Sequence, residues 1–301
     1  MSTPATPTTP TDPSYVDHAL VSPRAVRLVE AFKDALARMH DEEGLTFDDL
    51  TAVADLLQKV QTATGAPLAL IAMPLYSELF QGGGDGYTPC DDVESPTVIP
   101  GSPRIDNPGT LPMRPEEPGT PLIASGRVLD GHGRPLAGAK LEIYHAANNG
   151  NYSGLYDDGV PTYNLRGHLF TDDDGRYTVT TIAPVPYADE HVTSVGGVAE
   201  AAAALGRSLY RPAHIHYEVH HPNLIAPWYG EIYFQGDPVI PVDFVGPNLA
   251  HPDLQAPTVL HNDPQDIAAN GFAGPYKTAE FDFILKTRTS PDTATPKEAV
   301  A

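Results

Sequence analysis

From about Asp85 onward, Gly, Pro or Asp interrupts the chain every few residues, and the pieces between are short and alternate apolar with polar. ASGRVLD, AKLEIYHA, HLFTD, GRYTVTTIAP, AHIHYEVHH, GEIYFQGD and AEFDFILKT are the clearest. Alternation with a period of two is the signature of a strand with one buried face. The intervening DGHGRPLAG and DDDGR are turn sequences. No helical crossovers separate these strands, so they must return on themselves by short connections. The expected fold is mainly β, an antiparallel β-sandwich or barrel. The 32 prolines and 26 glycines fit many turns rather than a helix bundle.

The chain ahead of Asp85 has a different character. Ser22 is placed to cap a helix, with Pro23 at its first position. Val29, Phe32, Leu36 and Met39 then recur at steps of three and four, which draws one apolar stripe. Thr46-Phe47-Asp48-Asp49 resembles a capping box with Asp in the place of Glu, and Leu50, Val53, Leu57 and Val60 give a second stripe. A third helix is expected within APLALIAMPLYSELF, kinked near Pro74. Residues 14–84 are therefore expected to form a helical accessory or dimer-forming region, and residues 85–289 the β domain. The Pro/Thr-rich segments 1–13 and 290–301 are expected to be disordered tails.

Charge narrows the range of partners. With 39 acidic and 18 basic residues the net charge is −21. Such a surface repels phosphate backbones and anionic lipid, so neither nucleic acid nor a membrane is an expected partner. Cys90 is the single cysteine, so no intrachain disulfide can form. The opening MSTPATPTTPTDP lacks the basic and apolar regions of a secretory signal, and no apolar run reaches spanning length. The expected setting is the cytoplasm.

The stretch YRPAHIHYEV carries His214 and His216 inside a strand pattern. Alternate residues of a strand stand on one face about 6.5–7 Å apart, so the two imidazoles can converge on one metal ion. A lone histidine is more often a surface or hydrogen-bonded core residue. His220 and His221 show that this region is rich in histidine, and a zinc or cupin-type site using His214, His216 and His221 is an alternative. Two tyrosines stand where strands run out into loops, Tyr152 in NNGNYSG and Tyr187 in IAPVPYADE. Taken singly, each fits an ordinary packed ring with a wet hydroxyl.

Taken together, NGNYSG, YNLRGHLFTDDDGRYTVTTIAPVPY and LGRSLYRPAHIHYEV resemble the intradiol ring-cleavage dioxygenases of the catechol 1,2-dioxygenase group. That family carries G-x-Y-S, N-L-R-G, T-D-x-x-G-x-Y, P-x-P-Y and R-P-A-H-x-H in this order. ASGRVLDGHGRPLAGAKLEIYHA is similar to the strand pair that opens its sandwich, and the helical segment resembles its N-terminal dimerisation region. The resemblance implies a non-haem Fe(III) bound by Tyr152, Tyr187, His214 and His216 beside a solvent-derived hydroxide. It also implies a homodimer, and an aromatic diol and O2 as substrates. Arg211 would stabilise negative charge on the substrate ring, and TVIPGSPRI would place Ile99 and Pro103 at the substrate pocket.

Two phenolates and a hydroxide neutralise a trivalent ion, which avoids burying net charge. The chain also departs from the family pattern. Tyr144-His145-Ala146 stands for the usual W-H-A. With Gly236-Asp237 as anchor, Glu231 replaces the usual glutamine near the iron, where a carboxylate alters the hydrogen bonding of the reacting centre. ADEHVTSVGGVAEAAAALGRSLY replaces the family's D-G-P segment. A rival reading is a non-catalytic β-sandwich binding module, since the GRVLDGHGRPLAGAKLEI…TDDDGRYTV pattern also occurs in domains without metal.

Overall fold

The computed structural model describes residues 22–64, 86–90, 95, 97–155, 159–246 and 250–288. Both expected tails and the expected third helix in APLALIAMPLYSELF lie outside these residues. Helix α1 (Pro23–Glu43) begins where the Ser22 side chain accepts from the Ala25 amide at 3.2 Å, and it ends at Gly44 with φ 73°. A left-handed residue closing a helix is usually glycine because no Cβ opposes it. Helix α2 (Phe47–Thr64) opens on a reciprocal pair. The Asp49 amide donates to Thr46 Oγ1 at 3.3 Å, and the Thr46 amide donates to Asp49 Oδ2 at 2.8 Å. Asp thus does the work that Glu does in the usual capping box. The chain divides into two compact units between Leu56 and Leu57, inside α2.

The larger unit holds eleven strands among the described residues. They are β1 (Gly109–Thr110), β2 (Pro121–Asp130), β3 (Lys140–Tyr144), β4 (Arg166–Phe170), β5 (Arg176–Ile182) and β6 (His214–His220). Then follow β7 (Trp228–Phe234), β8 (Gln255–Ala256), β9 (Thr258–His261), β10 (Tyr276–Glu280) and β11 (Phe283–Leu285). Short helices α3 (Glu190–Thr193) and α4 (Val198–Ala204) precede β6, and α5 (Pro264–Ala269) precedes β10. One sheet runs β1-β5-β2-β10-β9, with β11 also on β2, and the other runs β4-β3-β6-β7-β8.

Both sheets are mixed rather than purely antiparallel. The long ladders β2–β5, β3–β4, β3–β6 and β6–β7 are antiparallel, whereas β10 and β11 lie parallel to β2 and β8 lies parallel to β7. A hairpin forces antiparallel return, but β10 and β11 reach β2 after a long excursion that leaves either direction open.

The apolar faces of both sheets supply one hydrophobic cluster. It includes Leu122, Ala124 and Val128 of β2, Leu141 and Ile143 of β3, Val179 of β5, and Ile215, Tyr217 and Val219 of β6. Each of the Leu, Ile and Val side chains contributes roughly 1.5–3 kcal/mol when fully withdrawn from water. The opposite parity of β6 is His214, His216 and Glu218, and these are buried as well, with 2%, 4% and 4% exposure. A strand with one core face thus carries a second, polar face that loops exclude from solvent. Cross-strand pairing sets Tyr144 and Glu231 on either side of His216, and Tyr233 beside His214. Paired residues point to the same side of a sheet, so these side chains form one floor.

Candidate metal centre

His214 and His216 enter this floor from adjacent same-face positions of β6, with ring centroids 5.0 Å apart. His214 Nδ1 donates to the Pro212 carbonyl at 2.8 Å. A carbonyl only accepts, so the other ring nitrogen, Nε2, presents a lone pair inward. Tyr144 stacks on His216 with centroids 4.7 Å apart and planes 6° from parallel, which holds that ring upright.

Tyr152 comes from the loop after β3. Its Oη lies 3.0 Å from His214 Nε2 and 2.9 Å from His216 Nε2. Tyr187 Oη is 3.1 Å from Tyr152 Oη. Gly150 explains how the two loops approach: at φ 84° it adopts a left-handed conformation, and a Cβ there would stand 2.9 Å from Tyr187 Cβ. The glycine of G-x-Y-S is therefore what lets the first tyrosine's loop lie against the second tyrosine.

Glu231 of β7 completes the group. Its Oε1 is 3.7 Å from His214 Nε2 and 3.5 Å from His216 Nε2. Arg211 grips this carboxylate with two bonds of 2.8 Å, Nη1 to Oε1 and Nη2 to Oε2. Tyr233 Oη also donates to Oε2. Arg211 Nη2 meets Asp243 Oδ2 at 3.4 Å, and Asp243 is fully buried.

Burial dominates the protonation of these groups. It raises the Tyr152 phenol well above its ordinary value, with the neighbouring Tyr187 and Glu231 adding to the effect. It pushes Tyr187 up to about 12, partly offset by the Arg211 charge. Burial lowers both His214 and His216. For Glu231 burial acts upward, but the Arg211 charge and its hydrogen bonds overcome it and hold the carboxyl well below its usual range.

The two imidazoles and the carboxylate therefore present lone pairs, while the two phenols keep their protons. Glu231 Oε1 and His214 Nε2 face each other at 3.7 Å with no hydrogen between them, an arrangement that a bound cation would stabilise. His214, His216 and Glu231 each offer a ligand atom, and the three atoms lie within 4.8 Å of one another. Imidazole nitrogens with hard oxygen donors suit iron, and phenol oxygens become anionic donors once a metal depresses their pKa. The residues present fit a non-haem iron.

The sequence profile of a family described as dioxygenase matches residues 93–287. The chain belongs to the intradiol ring-cleavage dioxygenases. The chlorocatechol 1,2-dioxygenase of Rhodococcus opacus is 30% identical over 226 residues, covering 74% of this chain and 86% of that one. The catechol 1,2-dioxygenase of Acinetobacter baylyi is 34% identical over 64% of this chain and 60% of its own length. The solved structure of hydroxyquinol 1,2-dioxygenase from Pseudomonas putida superposes with a TM-score of 0.70 at 27% identity, covering 88% of this chain and 93% of that chain.

In this dioxygenase Ile99 is half-buried beside the loop of Tyr152. A Cβ on Gly154 would stand 2.6 Å from Ile99 Cδ1. Pro103 lies along β4, where its carbonyl accepts from the His168 amide at 2.9 Å. His221 stands past the end of β6, and its Nδ1 accepts from the Asn223 amide at 3.2 Å. The imidazoles that converge are His214 and His216.

Three supporting residues were not singled out from sequence. Arg166 Nε donates to Ser153 O at 3.1 Å, and its guanidinium lies over the rings of Tyr144 and Tyr152, 5.1 and 5.8 Å from the centroids. Tyr233 shares the parity of Glu231 two residues earlier, a signal strand reading could have used. Asp243 follows a short 3-10 turn, Ile240–Val242, where no periodicity marks it.

Proposed function

We propose that this intradiol dioxygenase opens the ring of catechol, or of a substituted catechol such as hydroxyquinol or a chlorocatechol, between its two hydroxylated carbons. Both atoms of O2 enter a cis,cis-muconate-type product. A non-haem Fe(III) is held by Tyr152, Tyr187, His214 and His216. The observation that carries this reading is the convergence of two phenol oxygens and two imidazole nitrogens from three separated segments, joined by contacts of 2.9–3.1 Å. When bound, the ferric ion supplies the Lewis acidity that favours phenolate and catecholate.

The residues divide the remaining work. Tyr152 Oη touches both imidazoles and is the anchored phenol, whereas Tyr187 Oη reaches the cluster at Tyr152 Oη and its ring lies tilted 5.7 Å from that of His214. Tyr187 Oη is accordingly the atom that takes one hydroxyl proton from the substrate and withdraws as neutral phenol, the form that burial favours. Arg211 is a buried cation at the edge of the floor, where it stabilises negative charge developing on the ring. Glu231 fixes that guanidinium and borders the reacting centre. Ile99 and Pro103 serve as walls of the substrate pocket. Identities of 27–34% to relatives named for chlorocatechol, catechol and hydroxyquinol fit a shared reaction with several ring substituents.

The same reading makes the β unit a two-sheet sandwich and the N-terminal helices the seam of a homodimer. Val29, Phe32 and Met39 support the seam, being 53%, 63% and 48% exposed on one face of α1. Among the described residues no helix is long and apolar enough to cross a membrane, and a cytoplasmic setting agrees with the net charge of −21. The test is oxygen uptake by iron-loaded protein over a panel of catechols. One O2 consumed per ring opened supports the assignment, and iron-loaded protein inert toward every member of the panel contradicts it.

A further inference from the structure

We infer that Glu231 Oε1 is itself a metal ligand, completing a set of two imidazoles, two phenolates and one carboxylate in place of a water-derived anion. The inference rests on the ferric reading above and deepens it at the one floor position where this chain departs from the family's glutamine.

Two donor atoms each about 2.1 Å from a common ion stand roughly 3.0–3.6 Å apart when they subtend angles between a right angle and 120°. Glu231 Oε1 stands 3.5 Å from His216 Nε2, inside that range, and 3.7 Å from His214 Nε2, just beyond it. These separations are not hydrogen bonds. His214 Nε2 carries a lone pair because Nδ1 donates to Pro212, and a carboxylate only accepts.

The carboxylate also has a lone pair to spare. Oε2 already receives two donors, Arg211 Nη2 and Tyr233 Oη. Oε1 receives one, Arg211 Nη1, and keeps a lone pair in reserve. The pairing of β6 with β7 sets Glu231 directly opposite His216, so that lone pair lies on the side of the imidazoles. The side chain is only 15% exposed, which leaves little room for water to satisfy it.

Two phenolates and one carboxylate carry −3, which neutralises a trivalent ion with protein groups alone. An amide in the same place would supply no charge. The Glu231 carboxylate and His214 and His216 also make a two-histidine, one-carboxylate set that suits a divalent ion without any phenolate.

The experiment titrates the metal-free full-length protein with Co(II) by calorimetry. The arms are wild type, Glu231→Gln and Asp243→Asn, the last removing the other acid that faces Arg211. Glu231→Gln is expected to weaken Co(II) binding at least tenfold, and Asp243→Asn less than threefold. Equal Co(II) affinity in wild type and Glu231→Gln overturns the ligand assignment. If Glu231→Gln does not fold, the wild type alone decides through electron paramagnetic resonance of the Fe(III)-loaded protein in 17O-water. No line broadening is expected, because no exchangeable oxygen ligand remains, and broadening overturns the proposal. Failure of the ferric reading looks different: iron-loaded wild type then lacks a tyrosinate charge-transfer band, whatever the Co(II) titrations give.

Discussion

Tyr187 and Arg211 are joined backbone to backbone, with the Tyr187 amide donating to Arg211 O at 3.2 Å and the Arg211 amide donating to Tyr187 O at 2.8 Å. The loop of the second phenol is thereby fixed to the segment that leads into β6 and its histidines. The Arg211 side chain then turns to the two acids, Glu231 and Asp243. Removing one partner of a buried ion pair strands the others, at a cost of about 3–5 kcal/mol. Arg211→Ala is expected to lose stability of that order in urea unfolding. Arg211→Lys should recover only part of it, because an ammonium cannot reproduce the two parallel bonds to Glu231.

Gly150 is a second point of control. Any side chain there meets Tyr187 Cβ and must also hold a left-handed φ of 84°. Gly150→Ala is expected to cost about 1–3 kcal/mol in unfolding free energy. It should also displace Tyr187, which a shift in the visible absorption of iron-loaded protein would report.

Ile215 ties the core to the centre, since it points from β6 into the hydrophobic cluster between His214 and His216 and is 1% exposed. Ile215→Ala is expected to lose about 2–5 kcal/mol from lost burial and the cavity left behind. Ile215→Val should lose about 1 kcal/mol. Chemical denaturation of both variants gives the ratio.

His145 makes stability depend on pH. Burial lowers its pKa to about 4, against about 6.5 in an unfolded chain. Its Nδ1 donates to Ala146 O at 2.9 Å and its Nε2 accepts from Thr181 Oγ1 at 2.7 Å, both suited to the neutral ring. Between these pKa values the unfolded chain binds a proton that the folded chain refuses, so stability rises with pH. The contribution is full above about 6.5 and is lost as pH falls toward about 4, at most about 3 kcal/mol. Unfolding free energy measured from pH 7 to pH 4.5 should fall less steeply in His145→Gln than in wild type.

What could be read from sequence follows the periodic parts of the chain. His214 and His216 announce themselves because strand parity puts them on one face, and Ser22 and the Thr46–Asp49 pair mark helix starts by local chemistry. Tyr152 and Tyr187 lie in loops, where no period distinguishes a ligand from a packed ring, so only the order of motifs singled them out. Arg166 and Asp243 passed unnoticed for a related reason. One arginine in a strand and one aspartate after a turn look like surface residues until folding buries them beside a phenol and a guanidinium. The parallel docking of β10 and β11 on β2 is likewise a long-range choice that alternation within each strand does not encode.

The central claim is that two phenolates and two imidazoles close on one ferric ion, and the visible absorption spectrum of iron-loaded protein tests it most directly. One iron per chain with a broad tyrosinate-to-iron band is expected, weakened in Tyr152→Phe and in Tyr187→Phe and shifted when catechol is added. A stoichiometrically loaded but colourless ferric protein would contradict it.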